Sequence, residues 1–213
     1  MKRRALFSLP LVTAAAFTAG LTGCETPGND ASDTRSALTS FQRPLAYPTP
    51  AARPGGGTSG KWTPLPRDGG SEYVQIVGDM EDVVSFYGFS HPVAAEIKSF
   101  DDMERTMRGD SSFGFQSLQR GEILGVPVLW FEKVAVDTSG AVEKLVTVLG
   151  NKPRRSGVTY QVRTRGAFLL QPGKDPRFVT VACSRTSVHG EIGAMYESQF
   201  RTWLTNIVER CFL

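Results

Sequence analysis

An apolar stripe near the end of the chain constrains the fold more than any other feature of this sequence. Between Ile192 and Cys211, apolar side chains recur every three or four residues, which predicts an amphipathic helix of about 19 residues. Charged residues such as Glu197, Arg201 and Glu209 occupy the other side. Because one broad apolar face must be buried against another layer, we expect this helix to cover a sheet.

The chain before the helix supplies strands for that sheet. Residues 158–170 and 177–188 are rich in β-branched and aromatic residues, and turn-forming residues separate them, which predicts a hairpin. Residues 126–136 form a strongly apolar strand candidate, and residues 73–77 form a shorter one. We therefore expect an α+β domain in which an antiparallel sheet is covered by the long C-terminal amphipathic helix.

Two further segments are relevant to the fold. Residues 101–108 predict a short helix that begins with acidic residues, as suits a helix N-terminus. Residues 141–149 fit either a helix that ends at Gly150 or a strand that follows a turn. The closing order, a strand pair and then a long helix, resembles the PsbP/Mog1-type α/β/α sandwich of some envelope lipoproteins. That resemblance provides the alternative fold.

The first 24 residues have the organisation of an export signal. A basic start is followed by an uncharged run over residues 5–23, and the last residues of this run form the stretch Leu21-Thr22-Gly23-Cys24 together with the cysteine after it. This pattern resembles a bacterial lipoprotein signal peptide with its lipobox. The resemblance implies removal of residues 1–23 and a covalent lipid on Cys24. Apart from that lipid, we expect no cofactor, since the sequence shows no cofactor-binding motif. Two or three acyl chains anchor a protein stably where one does not. A retained membrane helix and a plain cleaved signal are the alternatives.

The net charge of the chain comes from this leader. Three of the 24 basic residues precede Cys24, whereas none of the 21 acidic residues does. The remaining chain carries 21 residues of each sign and is formally neutral. Because nucleic-acid binding relies on an excess of basic residues, this balance argues against a nucleic-acid partner.

Residues 24–70 are predicted to be a Pro/Gly-rich flexible linker. They contain seven of the 13 prolines and few apolar residues, so they bury too little surface to offset their chain entropy. If the linker docks onto a partner, we expect Phe41, Tyr47 and Trp62 to be the anchors. The remaining residues, 71–213, are long enough for a single domain with its own core.

Two cysteines remain beyond the lipidation site. Cys183 shares a strand face with Val179 and Val181 by period two, and Cys211 lies on the apolar face of the last helix. Both are therefore expected in the same helix–sheet interface. Because export places them where disulfides persist, we predict a Cys183–Cys211 disulfide, with two buried free thiols as the alternative.

Basic residues concentrate late in the chain. Eight of them lie between residues 152 and 185, where Asp175 is the one acidic residue. Arg163 and Arg165 alternate along the first hairpin strand, which predicts a basic stripe on the outer face of the sheet. With Arg154 and Arg155 they form a candidate anion-binding surface. The alternative is a solvated face that acidic residues between positions 68 and 110 balance.

Candidate catalytic groups are few. His91 precedes a proline in a context typical of a surface turn. His189 lies near Ser187 and Glu191, just before the last helix, where we expect capping of that helix rather than a hydrolytic site. No His or Cys spacing in the sequence is typical of a zinc site.

These features predict a non-enzymatic envelope lipoprotein that acts as an interaction or assembly module. A domain that binds a small ligand or lipid in an apolar cavity between helix and sheet is the alternative, and an envelope hydrolase is the third reading. We expect a membrane contact through the N-terminal lipid, on the outer membrane facing the periplasm if the cell is Gram-negative. The expected partner is an envelope protein, a cell-wall polymer or an anionic lipid.

Overall fold

One antiparallel sheet organises the computed structural model of the protein, which describes residues 44–52, 61–77, 82–94, 96–137, 159–173, 175–188 and 191–213. The strands within these ranges are β1 (Thr63–Arg67), β2 (Gly70–Val77), β3 (Asp82–Pro92), β4 (Phe115–Ile123), β5 (Val126–Asp137), β6 (Tyr160–Gln171) and β7 (Arg177–Ser187). They lie side by side in the order β1-β2-β3-β7-β6-β5-β4. Every neighbouring pair is antiparallel. By this order, β1 and β4 are the edge strands.

Two α-helices within the described residues pack on opposite faces of this sheet. Helix α1 (Phe100–Gly109) starts at Ser99, whose hydroxyl accepts a hydrogen bond from the Asp102 amide at 3.2 Å. Helix α2 (Ala194–Cys211) starts after Gly193, and no side chain of the described residues caps it. Neither helix has the length and apolar content that a membrane span requires.

The side chains of β7 show why both faces are covered. Phe178 and Ala182 belong to the cluster under α1, whereas Val179, Val181 and Cys183 belong to the cluster under α2. Successive strand residues point to opposite faces, and nearly every one in the middle of β7 is buried. Such a strand needs a cover on both sides, and the two helices provide it.

Aromatic side chains fill the α2 side of the sheet. Phe86, in the middle of β3, is fully buried. Its ring centroid lies 4.6 Å from that of Trp62, 5.6 Å from that of Trp203 and 5.8 Å from that of Phe200. These tilted and edge-to-face contacts are the arrangements that aromatic quadrupoles favour. The described helix–sheet interface over β2, β3 and β7 is therefore closely packed.

Residues 44–52, which we call the strap, cross the α2 side of the domain. The Tyr47 side chain is only 9% exposed, and its backbone carbonyl accepts a 2.7 Å hydrogen bond from the Tyr73 hydroxyl. The Pro48 carbonyl accepts another, at 2.6 Å, from Nε1 of Trp203. The strap is thus part of the core on this side of the sheet.

The strap and β1 correct the predicted domain boundary. Both lie within the span expected to be a linker, so the folded domain begins before residue 71. The linker interpretation relied on the number of prolines and the sparseness of apolar residues. However, a few large aromatic rings bury much apolar surface, and prolines lower the entropy that an ordered segment loses.

Most of the other predicted elements are confirmed. β6 and β7 match the hairpin expected at residues 158–170 and 177–188, and β5 matches the strand at 126–136. Helices α1 and α2 match the segments expected at 101–108 and 192–211. The coarse expectation, an antiparallel sheet with the C-terminal helix packed on it, is therefore confirmed.

Three strands, β1, β3 and β4, are not predicted from the sequence. β1 contains Pro64 and Pro66, which a strand tolerates at a sheet edge, and β4 is largely polar because it is the other edge. β3 contains His91, which was expected in a surface turn but pairs with Phe178. The ambiguous segment 141–149 lies outside the described residues.

Candidate functional site

An open groove of about 450 Å³ lies on the α2 side, between the first half of α2 and strands β4 to β6. It exists because α2 packs over β7 and leaves this part of the sheet uncovered. Its lining mixes charged, aromatic and small polar side chains. Those used below are Gly121, Trp130, Glu132, Arg165, Cys183, Glu197 and Arg201.

A network of charges forms one wall of the groove. The Arg165 guanidinium contacts the Glu197 carboxylate on α2 and lies 3.6 Å from a carboxylate oxygen of Glu132, its register partner on β5. The Arg163 guanidinium lies 3.8 Å from the other oxygen of Glu132. These side chains are about one-quarter to two-fifths exposed, so solvent screens the pairs and a charged ligand can compete for them.

An aromatic surface forms part of the floor. The Trp130 indole lies under the Arg201 guanidinium, whose central carbon is 5.2 Å from the ring centroid. A Cβ at Gly121 would come within 2.8 Å of the Trp130 Nε1 atom. The absence of a side chain at Gly121 therefore lets the indole lie across β4. This corner therefore combines an aromatic ring with a cation that lies over it.

Cys183 lies at the inner side of the groove and is 1% exposed. Burial raises the pKa of its thiol well above the ordinary range; the Glu197 carboxylate adds to this, and Arg165 opposes it. The thiol therefore stays protonated near neutral pH. Because the thiolate is the nucleophile, this environment does not activate Cys183.

The predicted anion-binding residues divide into two groups. Arg163 and Arg165 share one strand face, but that face is the α2 side rather than the outer side, and carboxylates already pair with both. Arg154 and Arg155, like the lipidation residue Cys24, lie outside the described residues. Anion binding therefore stays a prediction, centred on Arg165.

Several groove residues were not singled out from sequence. Glu197 and Arg201 were assigned to the solvent side of the amphipathic helix, and Glu132 and Trp130 lie within a strand expected to be a core element. A signal was present, since Glu132 is an acidic residue inside a strongly apolar strand. Only the pairing of β5 with β6 places it beside Arg165.

The predicted Cys183–Cys211 disulfide is absent from this structure, in which both cysteines are buried free thiols. They share the α2 side, as periodicity predicted, but lie at opposite ends of it. Cys183 pairs with Arg165, which contacts Glu197 in the first turn of α2. Cys211 ends the helix, about 21 Å further along at 1.5 Å per residue. A disulfide requires Cα atoms within about 7 Å.

The candidate hydrolytic group gains no support as a site. Ser187 is fully buried, and Glu191 contributes its backbone carbonyl, which accepts a 2.6 Å hydrogen bond from Arg185. Ser187 does not cap α2, because Gly193 occupies that position. His189 lies outside the described residues. Among the residues that are described, no three His, Cys, Asp or Glu side chains converge as metal ligands.

Comparison with known proteins assigns no family to this chain. Neither a scan against protein-family models nor a search of curated proteins finds a match.

Proposed function

We propose that this protein is a cell-envelope lipoprotein, lipid-anchored through Cys24, that acts as a non-enzymatic interaction module. The lipobox-like sequence supports the anchor, and the groove beside α2 supports the binding role. The observation that carries the proposal is the half-exposed Arg165, held between Glu132 and Glu197 next to the Trp130 surface. A binding partner can use both the cation and the aromatic surface.

The packing under α2 favours an interaction module over a lipid carrier. A carrier needs an apolar cavity between helix and sheet, whereas Phe86, Trp62, Phe200 and Trp203 occupy that space in the described interface. The groove lies beside this aromatic core and opens to solvent, with charged groups along its wall. It therefore suits a segment of a macromolecule better than a buried acyl chain.

The chemistry of the wall indicates an acidic partner. Arg165 is already bonded to carboxylates, and a ligand carboxylate can replace either of them without changing the type of bond. Arg201 supplies a second guanidinium over Trp130. We propose an acidic segment of an envelope protein as the partner. A cell-wall polymer and anionic lipid headgroups are the other outcomes of the test below.

A fluorescent peptide rich in glutamate and aromatic residues tests this proposal on the full lipidated protein in nanodiscs. Arg165→Gln removes the central cation, while Arg177→Gln removes an exposed arginine at the start of β7, away from the groove. Because Arg165 is partly exposed and already paired, solvent screening reduces the contribution of its bond to a ligand to about 1 kcal/mol. We therefore expect Arg165→Gln to weaken binding by about fivefold and Arg177→Gln to leave it unchanged.

Two further probes make the result decisive. A glutamine-substituted peptide should not bind, and added salt should weaken binding of the acidic one, since the groove charges are partly exposed. An acidic peptide that binds equally to both arginine variants contradicts the role of the groove. Binding of phosphatidylglycerol vesicles or an anionic polymer instead of the peptide would redirect the proposal to those partners.

For the fold, we propose the PsbP/Mog1-type sandwich. The position of α1 and α2 on opposite faces of one antiparallel sheet supports that assignment. An experimental structure of the domain tests it by its strand order and its connections.

A further inference from the structure

We infer that one end of the domain, formed by the β4–β5 hairpin and the last turn of α2, lies against the lipid bilayer. We call it the tether end. The inference rests on the proposed lipid anchor at Cys24 and adds the orientation of the domain on the membrane. The contact would be a second, non-covalent one between exposed apolar side chains and lipid.

The tip of the β4–β5 hairpin has an unusual residue. Leu124 and Gly125 form a two-residue turn between the paired residues Ile123 and Val126, with φ angles of 52° and 79°. Such turns favour Asn or Asp followed by Gly, because a left-handed backbone is costly for a residue with a large side chain. Leu124 is nevertheless a leucine, and it is 55% exposed. Leucine at this position therefore lowers the stability of the turn and exposes an apolar side chain.

The last turn of α2 reaches the same end of the sheet. Nε2 of Gln171, the final residue of β6, donates a 2.9 Å hydrogen bond to the Cys211 carbonyl. Phe212 packs at the margin of the same cluster as Ile123 and Val126. The next residue, Leu213, is 55% exposed. Two exposed leucines therefore lie at this end of the domain, together with the β1–β2 and β6–β7 turns, which carry the exposed Asp68 and Asp175.

The strap also begins at this end, so the chain that leads back to Cys24 starts here. The Ala46 amide donates a 3.3 Å hydrogen bond to Sγ of Cys211, so the strap starts beside the end of α2. Nineteen residues lie between Cys24 and Pro44, and the 20 Cα–Cα steps that join the two span at most about 66–72 Å. If the opposite end faced the membrane, this connecting chain would first have to run along the sheet, whose longest strands span about 40 Å. With the tether end toward the membrane, it does not.

The opposite end of the sheet provides a matched control. Val136 lies near the far end of β5 and is 49% exposed, close to the exposure of Leu124. It lies on β5, the strand that follows Leu124, but pairs with Gln161 at the other end of the sheet. A label at Val136 therefore reports on the end that should face away from the bilayer.

Site-directed spin labelling of the lipidated protein in vesicles tests the orientation. Leu213→Cys and Val136→Cys each introduce one reactive thiol, since Cys183 and Cys211 are buried. Collision with oxygen, which partitions into lipid, is compared with collision with a water-soluble nickel complex. We expect the label at 213 to favour oxygen and the label at 136 to favour nickel. Leu124→Asn should shift the label at 213 toward nickel while raising the unfolding temperature.

The outcomes separate the two proposals. If the mass of the N-terminal peptide shows no acyl chains on Cys24, both the anchor and this orientation are overturned. If Cys24 is lipidated but both labels favour nickel, the orientation alone is overturned. A label at 213 shielded from both reagents indicates a protein contact at this end and also overturns the bilayer contact.

Discussion

Replacing Gly88 with alanine tests how the strap is held on the domain. Gly88 lies in β3, and its backbone carries no positive φ angle that would itself require glycine. A Cβ at this position would lie 2.2 Å from Cδ1 and 2.3 Å from Cε1 of the Tyr47 ring. Real contacts of this kind do not occur, so the ring must move. We expect Gly88→Ala to displace Tyr47 from the core.

The cost follows from what Tyr47 buries. An aromatic side chain removes at least about 150 Å² from water, which corresponds to about 4 kcal/mol at 25 cal/mol per Å². Loss of the hydrogen bonds from Tyr73 and Trp203 to the strap costs about 1 kcal/mol each. The released segment regains conformational entropy, which offsets part of this loss. We therefore expect Gly88→Ala to lower the free energy of unfolding by about 2–4 kcal/mol.

A double-mutant cycle makes the prediction specific. In a Tyr47→Ala background the space above Gly88 is empty, so Gly88→Ala should change stability by less than about 1 kcal/mol, and in the stabilising direction. Urea denaturation followed by tryptophan fluorescence measures all four proteins. Gly109→Ala, where an added Cβ meets nothing within 4 Å, is the control. An equal cost of Gly88→Ala in both backgrounds would refute the reasoning.

Three further predictions concern the core. Burial raises the pKa of the Glu72 carboxyl above its ordinary value of 4.5, although the Arg67 guanidinium opposes this shift. As the pH rises above 4.5, the unfolded chain loses this proton before the folded chain does, so the free energy of unfolding should fall until the folded state also ionises. Glu72→Gln should flatten that slope in urea titrations. Gly166→Ala would place a Cβ 2.5 Å from the Phe131 ring and should cost about 1–3 kcal/mol by calorimetry. Cys183 and Cys211 should react with a thiol reagent only after unfolding, and a disulfide in the mature protein would contradict this.

Each result has a clear contrary outcome. A pH slope that persists in Glu72→Gln would show that another group is responsible for it. An unchanged unfolding temperature in Gly166→Ala would show that β5 and β6 can separate to admit a methyl group. Rapid native reaction of either cysteine would show that the interface under α2 opens easily.

The groove shows where sequence reasoning about the site stops. The alternation of Arg163 and Arg165 on one strand face is a local property, and the register of β6 reproduces it. Which layer covers that face depends on how α2 lies across the sheet. Because the helix approaches from this side, Arg165 contacts Glu197, and the expected outer basic stripe becomes one wall of a groove.

By itself, the sequence determined the elements whose signal is local. The period of apolar residues determines the helix at its end and the hairpin before it, and the first 24 residues are similar to an export signal. The tertiary structure decided what depends on contacts between distant residues: the strap in the core, the edge strands β1 and β4, and the separation of Cys183 from Cys211. Periodicity specifies the face on which a side chain lies, whereas its neighbour on that face depends on strand order and helix direction.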